Sequence, residues 1–95
     1  MTAREAMEKH LKNALEGKVE EVAADLIPEL LPALEELAPV LGKLAPTRFE
    51  IRGERQEGSD VAVKAALIGA SGEMVVEDTW REVGGVWKVV KIQPL

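Results

Sequence analysis

At 95 residues the chain has room for one domain and one modest core, since a chain of this size buries roughly 60 to 65% of the surface it exposes when unfolded. Apolar residues make up 46% and charged residues 31%, a globular balance that excludes a disordered chain. With 12 basic residues scattered among 17 acidic ones, a net charge of -5, no cysteine and one histidine, the composition argues against nucleic-acid binding, disulfides and a structural metal centre.

The N-terminal Met1-Thr-Ala-Arg-Glu-Ala-Met-Glu-Lys-His10 carries acidic residues and no signal-like apolar run, and no stretch reaches the ~18 apolar residues of a membrane span. The expected compartment is the cytoplasm, with no membrane contact. Thr2 followed by Glu5 is a capping-box pattern, so a first helix should start there, run to about Glu16 and stop at Gly17. At about 100° per residue Ala3, Met7, Leu11 and Ala14 share one face, which places His10 at its margin. There His10 is either a half-exposed residue without a special role or a group that reaches a pocket.

From Val19 to Leu44 the chain repeats Leu30-Leu-Pro32, Leu37-Ala-Pro39 and Leu44-Ala-Pro46 at seven-residue spacing. On a helical wheel Pro28, Pro32, Pro39 and Pro46 cluster opposite Leu30, Leu34, Leu37, Leu41 and Leu44. Prolines on the wet side free carbonyls that water can satisfy, so a helix bent around its leucines is expected, as one curved piece or broken into two or three, ended by Pro46. Core packing explains the leucine stripe better than a coiled-coil seam, which the prolines would strain, or a membrane-surface helix, whose polar face would carry Lys and Arg.

Beyond Pro46 the period becomes two. Arg48 to Arg55 alternates as a half-buried strand, Glu57-Gly-Ser-Asp60 is a turn, Val61 to Ile68 a second strand, and Ser71-Gly72 a tight turn. Glu73 to Gln93 is a hairpin around Gly84-Gly85, the dipeptide that primed turns favour. Helices followed by a four-stranded antiparallel meander make an α+β domain, with the helices across one face of the sheet.

Mirror pairing about these turns gives helix-facing rows of Ile51, Leu67, Val76 and Gln93; then Gly53, Ala65, Asp78 and Lys91; then Arg55, Val63, Trp80 and Val89. Gly53 and Ala65 beside a charged pair would leave a hollow, in which Asp78 could act as general acid or base with Lys91 opposing the rise in its pKa. Gly53, Arg55, Ala65, Val76, Trp80, Gln93 and His10 are the expected ligand contacts, with no cofactor or metal. The alternative is an ordinary cross-strand ion pair beside two tryptophans, Trp80 and Trp87, that only anchor the core. On the outer face Ile68, Val75, Val90 and Ile92 form an apolar corner, which predicts a homodimer through the sheet.

The stretch Thr79-Trp-Arg-Glu-Val-Gly-Gly-Val-Trp-Lys-Val-Val-Lys-Ile92, after a helix that begins Ala3-Arg-Glu-Ala-Met-Glu-Lys-His-Leu, resembles the nuclear transport factor 2-like, or cystatin-like, superfamily, which includes ketosteroid isomerases, polyketide cyclases and scytalone dehydratases. The likeness covers about a third of the chain and implies helices and a curved sheet around an apolar pocket, often in a homodimer. The chain is shorter than that pattern, its middle section is replaced by the leucine-proline segment, it has no tyrosine, and no catalytic dyad of the family matches residue by residue. Two functions follow as expectations. One is a domain that binds a small apolar molecule, as an isomerase, dehydratase or cyclase if Asp78 and Lys91 transfer protons. The other is a non-enzymatic dimer whose leucines fill its core.

Overall fold

Thr2 Oγ1 accepts the Glu5 amide at 3.1 Å and Glu5 Oε1 accepts the Thr2 amide at 2.8 Å, closing the capping box that starts helix α1, Ala3–Leu15. Gly17, at φ 72, takes the left-handed conformation that ends it. In the computed structural model, which covers residues 1–95, α1 buries Ala3, Ala6, Met7, His10 and Leu11. His10 is 6% exposed and thus inside the buried face, not at its margin.

The segment from Val19 to Leu44 is three pieces: α2, Val19–Ala24; a 3-10 turn, Pro28–Leu30; and α3, Leu31–Leu44. The break lies before Pro28, because the proline ring crowds the preceding residue out of the helical region, and Ile27 is extended at ψ 149. The freed backbone pairs with the last strand, Val89 N donating to Asp25 O at 2.8 Å and Ile27 N to Val89 O at 3.1 Å. In α3 the prolines face outward, as the helical wheel places them: Pro32 and Pro39 are exposed and Leu34, Leu37 and Leu41 half-buried. No residue of α3 is fully buried, however. Ala45 closes the helix in the left-handed region, and Pro46 follows.

Four strands, β1 Arg48–Glu57, β2 Asp60–Gly69, β3 Gly72–Val83 and β4 Val86–Pro94, form an antiparallel sheet in sequence order. The chain is therefore an α+β fold of N-terminal helices and a meander. The Gly84-Gly85 turn pairs Val83 with Val86 as expected, both glycines having positive φ. The middle turn is Ala70-Ser71, one residue earlier than the sequence suggests, so Gly69 pairs with Gly72 and Ala65 with Val76. Two register shifts complete the map. Arg52 is an extra residue between the pairs Ile51–Ala65 and Gly53–Lys64, and Val90 is one between Trp80–Val89 and Thr79–Lys91.

Val63, Ala65, Leu67, Val76, Trp80 and Val89 face the helices and pack with Met7, Leu11 and Leu26. Outside, Arg52 meets Glu73, Arg55 meets Glu77 and Arg81 meets Asp60 in ion pairs. The expected apolar corner is incomplete, since the second bulge turns Ile92 inward opposite Asp78 and leaves Ile68, Val75 and Val90 half-buried. No helix is long and apolar enough to cross a membrane.

Gly69 lets the end of α3 lie against β2, for a Cβ there would collide with the Leu44 carbonyl oxygen, whereas a Cβ on Gly53 meets nothing within 4 Å. Gly69→Ala should therefore cost about 1 to 3 kcal/mol of unfolding free energy in urea titrations. Gly53→Ala should stay within about 0.5 kcal/mol of wild type. Equal effects would show that α3 does not depend on this close approach.

Candidate functional site

Asp78 sits on the helix-facing side of β3, 4% exposed, between Val63 of β2 and Ile92 of β4. Lys91 is not its neighbour: the Val90 bulge moves Lys91 to the outer face opposite Thr79, and it is exposed. The bulge at Arg52 likewise turns Gly53 and Arg55 outward, where Gly53 faces Lys64 and the Arg55 guanidinium donates to Glu77 at 2.8 Å. Gln93, opposite Glu77, is exposed as well. The row expected around Asp78 is thus dismantled, with Gly53 on the opposite face of the sheet from Asp78.

The partner of Asp78 comes from α1. His10 Nε2 lies 3.7 Å from Asp78 Oδ2, and His10 Nδ1 lies 2.9 Å from Asp25 Oδ2. An ionised carboxylate only accepts, so the shorter contact requires Nδ1–H to donate to Asp25. Nε2 is then presented to Asp78, a little beyond hydrogen-bond range. Trp80 packs edge-on against the imidazole, ring centroids 5.4 Å apart at 86°, and its indole N–H points to Met7 Sδ at 3.4 Å. Ala65, Val76 and Trp80 are core residues with at most 4% exposure, so none presents a face to an entering ligand.

Asp25 went unnoticed in the sequence, because its role depends on α2 ending beside it. A carboxylate at the C-terminal end of α2 faces the negative end of the helix dipole, a placement that calls for a compensating partner. That partner is His10.

The Asp78 Oδ1 atom is buried and has no hydrogen-bond partner. Burial pushes the Asp78 carboxyl up to about 6, and the positive charge available on His10 opposes the rise. A carboxyl poised there beside an imidazole can exchange a proton near neutral pH, the requirement for general acid–base chemistry.

A separate cleft of about 550 Å³ opens between α1, α2 and α3, with Ala14, Leu15 and Val22 on one wall, Leu34 and Leu41 on the other and Leu67 at its floor. It does not reach Asp78. Leu67 pairs with Met74, two helix-facing rows from Asp78, while Ala14 lies one helical turn beyond His10. Leu34 and Leu41 of α3 thus pack against the core on one side and border this open space on the other. No protein-family model matches the chain, and neither curated proteins nor solved structures give a match.

A carboxyl raised from its ordinary value binds a proton more tightly in the folded than in the unfolded chain. Its stabilising contribution is complete below the unfolded value of 3.8 and is lost as pH rises through about 6. Asp78→Asn removes this titration. The stability of wild type minus that of Asp78→Asn should thus fall by roughly 2 to 3 kcal/mol between pH 4 and pH 8, measured by urea unfolding at each pH. A difference independent of pH would mean that Asp78 is solvated like a surface carboxylate.

Proposed function

We propose that this chain is a small-molecule-binding domain whose apolar ligand occupies the cleft between α1, α2 and α3. The observation that carries this reading is the cleft itself, since about 550 Å³ bordered by aliphatic side chains falls within the range of small-ligand sites. Helices laid over one face of an antiparallel meander also agree with the resemblance to the nuclear transport factor 2-like superfamily, which supports a pocket but assigns no chemistry. Any isomerase, dehydratase or cyclase activity would fall to Asp78 with His10, not Lys91. Asp78 and His10 are not among the residues that line the cleft, so binding is the primary claim and proton transfer the dependent one.

N-phenyl-1-naphthylamine, a neutral dye that brightens in apolar sites, tests the claim. Saturable binding to wild type with a micromolar dissociation constant is expected. Ala38→Trp, which fills the cleft from α3, should weaken it at least tenfold, while Val40→Trp, outside the lining, should leave it unchanged. Absence of dye binding to the folded wild type, or equal loss in both variants, contradicts the reading.

A homodimer is the second reading, favoured by the absence of any buried residue in α3 and by the exposure of Leu31 at 40% and Val40 at 49%. Its surface is α3, in place of the broken sheet corner. Sedimentation at ~100 µM decides it: a dimer that Val40→Glu dissociates supports this reading, and a wild-type monomer at that concentration removes it.

A further inference from the structure

The cleft has one charged side chain on its lining, Lys18, and no other lining side chain carries a polar atom. Resting on the reading of the cleft as a ligand site, we infer that its ligand is an amphipathic monocarboxylate, an alkyl chain among the leucines with its carboxylate on the Lys18 ammonium. Lys18 sits in the turn between α1 and α2, immediately after Gly17, and is one of the residues that line the cleft. Its side chain is 52% exposed and lies 3.4 Å from Glu16 Oε2, an exposed pair of little strength that an incoming carboxylate can displace. A ligand chain packed beside the ammonium excludes water from it, which strengthens the new ion pair over the old one. The opposite wall, Leu34, Ala38, Leu41 and Ala45, offers only apolar side chains, so a second polar group on the ligand would meet no polar side chain there.

This inference fixes an order of affinities, measured by displacement of N-phenyl-1-naphthylamine from the full chain at pH 8 with every lipid below its micellar concentration. Dodecanoate should displace the dye about five- to tenfold better than dodecanol, and dodecylammonium should be the weakest. From octanoate to dodecanoate each methylene should improve displacement about fourfold, the equivalent of ~0.8 kcal/mol. Lys18→Gln should erase the preference for the carboxylate while retaining dye binding, Lys18→Glu should favour dodecylammonium, and Glu16→Gln should strengthen dodecanoate. Equal displacement by dodecanol and dodecanoate, or a preference that survives Lys18→Gln, overturns the carboxylate assignment and leaves the cleft standing. Failure of the dye to bind wild type at all removes the cleft and this inference with it.

Discussion

The constraint on which the structure turns is the burial of one carboxylate, Asp78, in an interior otherwise built from Val63, Ala65, Leu67, Val76, Trp80 and Val89. Moving a charge into such surroundings costs several kcal/mol unless a partner compensates, and the sheet supplies none. The helical layer supplies one: with Nδ1–H held by Asp25, His10 Nε2 offsets the carboxylate when that nitrogen is protonated and faces a protonated carboxyl when it is not. His10 projects from the same buried face as Met7 and Leu11, so the packing that seats α1 on the sheet also delivers the imidazole to Asp78. Its other nitrogen is held by Asp25, which fixes the ring and ties the end of α2 to α1.

From that requirement the rest of the helical layer follows. Asp25 can meet His10 only where α2 stops, and Ile27-Pro28 stops it by steric exclusion from the helical region. The extended residues at the stop pair with β4 through Val89, and Lys88 Nζ adds a hydrogen bond to Ala24 O. The chain then crosses to α3, which rests on the core through half-buried Leu34, Leu41 and Leu44 and ends against Gly69. Because α1 and α2 are drawn toward Asp78 while α3 is pinned near Gly69, an apolar gap remains between them. The buried carboxylate and the cleft are thus two consequences of one packing arrangement, although the cleft does not reach Asp78.

Elements were more legible in the sequence than register. The capping box at Thr2 and Glu5, the stop at Gly17, the turn at Gly84-Gly85 and the outward prolines of α3 are local signals, each set by a few adjacent residues, and each appears where the chain declares it. The inward direction of Asp78 is legible for the same reason, since β3 contains no bulge between Val76 and Trp80. Bulges have no such signature. One extra residue at Arg52 and one at Val90 reverse the faces of everything beyond them in their strands, which is why Gly53, Arg55, Lys91 and Gln93 leave the expected site and Ile92 enters it. Partners far apart in sequence were also hidden: His10 and Asp25 are brought to Asp78 by packing between layers, and no spacing rule connects them.

Site-resolved NMR, with Asp78 followed through a pH titration and the tautomer of His10 read from its ring nitrogens, tests whether this pair organises the helices. The account predicts that the Asp78 carboxyl carbon titrates with a midpoint near 6, and that neutral His10 carries its proton on Nδ1, bonded to Asp25. An Asp78 midpoint near 4, together with a neutral His10 protonated on Nε2, would contradict it, for the carboxylate would then be solvated and the imidazole turned away from the arrangement that organises the helices.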